Sequence, residues 1–308
     1  MDKHYADTVR LLLAITPDVF ANDIFVLKGG TAINLFVQDM PRLSVDLDVV
    51  YLPWQVPRDQ ALQAISQELG SIAKRVASLG VQTRLVPSKD LGDIKLIAEN
   101  EISQVKVEVN VVFRGSVLPV IHRPLSTGAS DLFGVEFLVP MLDTDELYGS
   151  KLVAAMDRQH PRDLFDVWRL FETGGITDAM VECFVVYLAG HNRPTHEVLF
   201  GNDKDIAAEY ERTFAGMTKM ECSLEQLLQT RKRLRHELPQ RLSAAHRQFL
   251  STLTRAQPQW ALLQCPHVGE LPALRWKLAN LETFRQRRPR DFTAQADALD
   301  AALVALQP

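Results

Sequence analysis

Cysteine is scarce in this chain. The three present, Cys183, Cys222 and Cys265, are far apart and odd in number, with no CxxC pair and no regular histidine spacing around them. That argues against both a structural zinc site and a disulfide framework. Long hydrophobic runs are missing as well, since none approaches the roughly eighteen residues of a membrane span. The opening Met-Asp-Lys-His-Tyr-Ala-Asp lacks the charged-then-apolar pattern of a secretion signal. A cytoplasmic protein with no membrane partner is expected. There is no internal repeat and no low-complexity tract.

What is present is ordinary globular material, 308 residues with 46% hydrophobic and 23% charged content, enough for two domains and a sizeable core. The formal net charge of −4 is unevenly spread. Between Arg231 and Arg290 thirteen Lys/Arg face three Asp/Glu, a local balance of +10 that leaves −14 for the rest. Such a block suits an anionic polymer such as RNA, and it equally suits a solvated helix face. Within it, leucines at 224, 227, 228 and 234 recur at helical spacing, which predicts a buried stripe with the cations largely on the other side.

The most specific stretch is Lys28-Gly29-Gly30-Thr31, followed by Arg42-Leu-Ser44-Val-Asp46-Leu-Asp48-Val-Val. Ile24-Phe-Val-Leu reads as a short buried strand and Thr31 to Val37 as a helix, so the glycines lie at a strand-to-helix turn. Without a Cβ the backbone can approach a ligand closely, and helix-start N–H groups receive phosphate readily. Asp46 begins a β-branched run in which side chains alternate, so Asp46 and Asp48 project together while Leu47 and Val49 turn to the core. Two neighbouring carboxylates on one face suit a hard divalent cation that also holds nucleotide phosphates. The bland alternative is a pair of solvated acids beside a common turn.

Around these motifs the pattern predicts an opening helix over residues 2–15, a helix from Pro57 to Leu79 ended by Gly80, and strands over 81–86, 94–98 and 104–113. Glu108, on the polar face of the last strand with Lys106 and Asn110, is either a third metal carboxylate or a surface residue of a sheet with one solvated face. From Asp143 onward only helices are expected. One carries Lys151 in its middle. The next follows His160-Pro161-Arg162, places Asp163 and Asp166 on one face, and ends at Gly174-Gly175. Lys151 is either a cation for a triphosphate or an exposed helix lysine. Asp163 and Asp166 hold Lys151, contact a nucleotide, or form a simple helix pair between Arg162 and Asp166.

Taken in order, Lys28-Gly-Gly-Thr-Ala, Arg42-x-Ser-x-Asp-Leu-Asp, the Lys151-Leu-Val-Ala helix and Pro161-Arg-Asp-Leu-Phe-Asp-Val resemble the successive motifs of the AbiEii/AbiGii-type nucleotidyltransferase toxins, which include the MenT toxins. The resemblance runs from about residue 24 to 172, and Leu271-Pro-Ala-Leu-Arg-Trp-Lys-Leu-Ala-Asn-Leu is similar to the family's helical tail. It implies an α+β fold. A polymerase β-like core, a mixed sheet flanked by helices, would occupy residues 1–142, and an all-helical domain contributing later active-site motifs and a basic surface would occupy 143–308.

The resemblance further implies an NTP substrate, Mg²⁺ or Mn²⁺, RNA as acceptor with the tRNA 3′ end foremost, a cognate antitoxin protein and a phage-defence setting. Asp46 and Asp48 match the metal acids, with Glu108 a looser third. Lys28, Gly29, Gly30 and Thr31, with Arg42 and Ser44, match the nucleotide-binding loop. Lys151, Asp163 and Asp166 match the later catalytic motifs. Many relatives in the wider superfamily have Gly-Ser where this chain has Gly-Gly, so Thr31 or backbone amides would have to replace the hydroxyl. Alternatives are transfer to a protein hydroxyl or a small molecule, or an inactive nucleotide-binding module.

Overall fold

The computed structural model describes residues 3–87 and 93–306, so Asp2 of the expected opening helix lies outside the described residues. The chain divides into two compact units, Met1–Leu147 with Met217–Met220, and Tyr148–Gly216 with Glu221–Pro308.

The first unit opens with α1 (Lys3–Val19) and β1 (Phe25–Lys28), passes through the single turn α2 (Gly29–Thr31) into a π-helical segment, Ala32–Val37, and continues to β2 (Asp46–Tyr51). Then come α3 (Arg58–Ser78), β3 (Gln82–Pro87), β4 (Asp93–Glu99), β5 (Gln104–Asn110), β6 (Ile121–Pro124), α4 (Thr127–Phe133) and β7 (Leu138–Met141). Seven strands form one mixed sheet in the order β3-β4-β5-β2-β1-β7-β6. β2 runs parallel to β5, and β1 parallel to β7, while β1–β2, β3–β4, β4–β5 and β6–β7 are antiparallel. The sequence pattern gives no sign of β6, α4 or β7, which are only four to seven residues long.

Alternation governs this sheet. Val105, Val107 and Val109 of β5 are fully buried, as are Leu47 and Val49 of β2 and Leu27 of β1. The cross-strand partners Leu27–Val49, Val49–Val109 and Leu47–Val107 therefore stack apolar on apolar. Helices α1 and α3 pack on the sheet through Val9, Leu12, Ile15, Ile65, Leu69 and Ile72. The intervening residues form the other face. β5 stops at Asn110, whose Oδ1 accepts the N–H groups of Val112 and Phe113 and turns the chain three residues earlier than the apolar run suggests.

One return of the chain has no signature in the sequence. Residues 217–220 join the first unit by pairing with the segment before β2: Leu43 donates to the Met217 carbonyl at 2.9 Å, Lys219 to that of Pro41 at 3.0 Å, and Arg42 bridges Thr218.

The chain leaves the first unit within α5 (Thr144–Asp157). The second unit is helical, with α6 (Pro161–Thr173), α7 (Asp178–Ala189), α8 (Thr195–Phe200), α9 (Ala207–Thr213), α10 (Leu224–Gln240), α11 (Ala244–Thr254), α12 (Pro272–Arg287) and α13 (Pro289–Val304). α7 is its centre, buried continuously from Met180 to Ala189. Gly149 of α5 lies so near α7 that a Cβ there would stand 2.6 Å from the Cβ of Cys183. The α10 stripe is buried at Leu227, Leu234 and Leu238, but Arg231 is buried with it, so the expected separation of leucines and cations is incomplete. Among the described residues no helix is long and apolar enough to cross a membrane.

Candidate functional site

The glycine turn and β2 are built against each other. β1 pairs antiparallel with β2, placing Lys28 opposite Asp48, so the chain passes from Lys28 into Gly29 beside that carboxylate. Gly29 has φ +78°, and a Cβ on it would stand 2.1 Å from Asp48 Oδ2. The position is therefore closed to side chains twice over, by backbone conformation and by space. Over Gly30 lie the Arg42 guanidinium and the Ser44 hydroxyl.

Thr31, fully buried, donates its hydroxyl to the Asp46 carbonyl at 2.5 Å and stands 3.0 Å from Ser44 Oγ. That hydrogen is spent tying the loop to β2, so the Thr31 side chain serves the loop's shape, and its backbone N–H is the group left to serve a phosphate. Two further positioning groups carry no motif. Asn34 Nδ2 donates to the Gly30 carbonyl at 2.9 Å, and Tyr5 Oη accepts the Ser44 N–H at 3.2 Å. A buried asparagine inside the apolar run Ala-Ile-Asn-Leu-Phe-Val was the one available signal. Tyr5 gave none. Burial raises the Tyr5 pKa, while the Ser44 N–H and the Arg42 charge act against that rise.

Asp46 and Asp48 are half-buried on the polar face of β2. The parallel register with β5 sets Asp48 beside Glu108 and Asp46 beside Lys106, and the next strand sets Lys95 beside Glu108. The row across four strands thus reads Lys28, Asp48, Glu108, Lys95, two carboxylates bracketed by two ammonium groups. Lys95 Nζ donates to Glu108 Oε1 at 2.9 Å.

Among the described residues no group of three or more His, Cys, Asp and Glu side chains is arranged to hold a metal ion. Mg²⁺ is commonly held by only one or two carboxylates plus substrate phosphates and water. Two hard oxygen donors beside a turn whose Gly29 position excludes a Cβ fit that ion.

In the second unit Lys151, Asp163 and Asp166 meet. Lys151 Nζ donates to Asp163 Oδ1 at 2.9 Å and pairs with Asp166 Oδ2 at 3.0 Å, all three residues being at most 7% exposed. Lys151 is thus no exposed helix lysine, and Asp166 is paired through it. Arg158, which belongs to no sequence motif, completes the group by donating Nε to Asp163 Oδ2 at 2.5 Å and Nη2 to Oδ1 at 2.9 Å. Burial alone would raise the Asp163 pKa, but the charges and hydrogen bonds of Lys151 and Arg158 outweigh it and hold the carboxyl well below the ordinary range.

Local sequence sets this geometry. Pro161 starts α6, and His160 caps it by accepting the Arg162 N–H on Nδ1 at 3.1 Å. Asp163 and Asp166, at i and i+3, then share the face toward Lys151. Gln159, buried with φ +55°, braces the junction: its Oε1 accepts from Lys204 N–H and Arg231 Nη1, and its Nε2 donates to the Asn202 carbonyl.

Residues 10–280 match the family described as nucleotidyl transferase AbiEii toxin, type IV TA system. Among solved structures the fold is similar to that of MenT4, a nucleotidyltransferase toxin from Mycobacterium tuberculosis H37Rv, with a TM-score of 0.60 and 16% identity over 91% of this chain and 95% of that one. No curated protein matches.

Proposed function

Since the chain belongs to the AbiEii family of nucleotidyltransferase toxins of type IV toxin–antitoxin systems, we propose that it transfers a nucleotide from an NTP to RNA, with the tRNA 3′ acceptor end as the target. The observation that carries this reading is the packing of the Asp48 carboxylate on Gly29. It joins a metal-binding strand to a phosphate-sized turn, and a nucleoside triphosphate complexed with Mg²⁺ needs both.

In the proposed reaction the RNA hydroxyl attacks the α-phosphorus, the new P–O bond forms as the bond to pyrophosphate breaks, and the hydroxyl proton passes to a base or water. Bound Mg²⁺ or Mn²⁺ supplies charge neutralisation on the phosphates and acidifies the attacking hydroxyl. Asp46 and Asp48 would be its protein ligands, with Glu108 the neighbouring carboxylate and Lys95 as counter-charge. The backbone of Gly29, Gly30 and Thr31 approaches the phosphates, and Lys28, Arg42 and Ser44 add positive charge and hydrogen bonds around them. Lys151 is assigned the cation of the family's later catalytic motifs, and Asp163 and Asp166 hold its ammonium.

An antitoxin encoded alongside would hold such an enzyme in check in the cytoplasm, and phage defence is the setting in which its release is useful. Purified protein incubated with Mg²⁺, each labelled NTP in turn and total tRNA tests the reading. Label entering RNA with at least one nucleotide is the expected result. Label absent from RNA with all four overturns it, and label in a protein band instead moves the acceptor to a protein hydroxyl.

A further inference from the structure

The +10 block between Arg231 and Arg290 is not one surface. Arg231 and Arg235 turn inward onto Asp203, and Arg231 also donates to the Lys204 carbonyl at 2.6 Å. Arg233 pairs with Glu237 and lies 4.0 Å over the Phe171 ring. Arg241 is taken by Asp178, and Arg255 by Asp297 and Asp300. Lys277 is buried, donating to the carbonyls of His191 and Arg193. Beyond these, an exposed concentration remains at the end of α12 and the start of α13, in Arg285-Gln-Arg287-Arg288-Pro-Arg290. Arg288 pairs loosely with Asp291 at 3.6 Å, whereas Arg285, Arg287 and Arg290 have no acidic partner among the described residues.

The same helix exposes an aromatic ring. Trp276 is 48% exposed, whereas Trp54, Trp168 and Trp260 are each half-buried. At 100° per residue, Trp276, Asn280, Thr283 and Arg287 fall on one stripe of α12, about 16 Å long at 1.5 Å per residue, and all four are exposed. Thr283 donates its hydroxyl hydrogen to the Ala279 carbonyl, so its outward lone pairs can only accept. Arg285 lies on the opposite side of the helix.

We propose that this stripe is a docking surface for a single-stranded segment of RNA, one base stacking on Trp276 and phosphates lying against Arg287 and the exposed Arg290 that follows it at the start of α13. An unpaired base offers a flat face to an exposed indole, and a stacking ring beside unpaired cations is the chemistry of single-strand binding. Charge favours the same partner, because Arg287 and Arg290 are exposed with no acidic partner among the described residues while residues outside 231–290 carry a net −14. An acidic protein is the competing occupant, and binding of polyglutamate separates the two. The proposal rests on RNA being the acceptor, and it places RNA contacts on residues outside the transfer chemistry.

Fluorescence anisotropy of the full chain with a labelled single-stranded RNA 12-mer, titrated with salt, tests it. Arg287→Gln with Arg290→Gln is expected to weaken binding about tenfold and to lower the log–log salt slope by about 1.4, that is 0.7 per phosphate contact. Trp276→Ala is expected to weaken binding at least fivefold, and Trp276→Phe to restore most of it. Arg285→Gln is expected to change binding less than twofold, with the thermal midpoints of all variants unchanged. Arg285→Gln costing as much as Arg287→Gln with Arg290→Gln overturns the proposal. So does Trp276→Ala binding RNA normally while the arginine pair loses RNA and polyglutamate alike, the outcome expected of a protein-docking or generic anion surface.

The unaltered protein's transfer of label from NTP to RNA is read separately. If it fails while the stripe binds RNA as described, the transfer reading falls and the docking surface stands. If it succeeds while none of the stripe variants affects binding, the docking surface falls alone.

Discussion

Lys151 and Asp163 form a buried ion pair, Nζ to Oδ1 at 2.9 Å, in which the lysine is shared with Asp166 and the aspartate with Arg158. Removing one partner leaves the others charged and desolvated, which is costlier than never having buried them.

Asp163→Asn is therefore expected to lower the unfolding free energy by about 3 kcal/mol, read by urea denaturation at pH 7. Because the Asp163 carboxyl is held below its unfolded value, its stabilisation is complete above about pH 4 and is lost as pH falls further. The wild-type protein should lose stability on that acid limb more steeply than Asp163→Asn. Parallel limbs would contradict the assignment.

Gly29→Ala and Gly30→Ala should separate sharply. At Gly29 a Cβ meets the Asp48 carboxylate and the backbone is left-handed, whereas at Gly30 the backbone is not and a Cβ meets the side-chain ends of Arg42 and Ser44 at 2.9 and 3.0 Å, neither of them a metal acid. The first is expected to cost about 1–2 kcal/mol of stability and to reduce nucleotide transfer about a hundredfold or more by displacing the metal acid. The second should retain activity within about tenfold. Equal effects would mean that Asp48 does not depend on the turn.

Asp48→Asn should fold with an unchanged midpoint and lose transfer about a hundredfold or more, since its amide cannot replace a ligand charge. Glu108→Gln, which leaves Lys95 with a neutral acceptor, should lose far less. A Glu108→Gln enzyme as dead as Asp48→Asn would promote Glu108 to a metal ligand.

Lys277 supplies a test at high pH. Its ammonium holds the carbonyls of His191 and Arg193 at 2.7 and 3.0 Å, and burial lowers its pKa from 10.5 to about 8. Between those values the unfolded chain binds more protons than the folded one, so stability should rise with pH by on the order of 3 kcal/mol from this group. Lys277→Met should abolish that rise. Urea titrations at pH 7.5 and pH 10 on both proteins check it, and an equal rise in both would place the proton elsewhere.

Much of the first unit could be read from spacing. The period-two patterns of Asp46-Leu-Asp48-Val and Gln104 to Asn110 gave both strands and the faces of Asp46, Asp48 and Glu108, because alternation is a property of the local backbone. The π-helical turn after Thr31, the strands beyond residue 113 and the pairing of residues 217–220 with 41–43 could not be read. The strands and the 217–220 pairing depend on partners distant in sequence, while the π-helical turn departs from the α-helix by only one residue per turn, a difference the apolar spacing does not distinguish.

The sequence by itself determined the order of the motifs, the glycine pair at the turn and the helix that places Asp163 and Asp166 three residues apart, all consequences of residue type and local geometry. Tertiary structure decided which charges meet. It buried Lys151 between two carboxylates, spent the Thr31 hydroxyl on Asp46, gave Glu108 a lysine, and divided a run of thirteen cations into paired, buried and exposed members. Charge pairing and desolvation act between groups a dozen or more residues apart in sequence, and only the folded chain sets their distances.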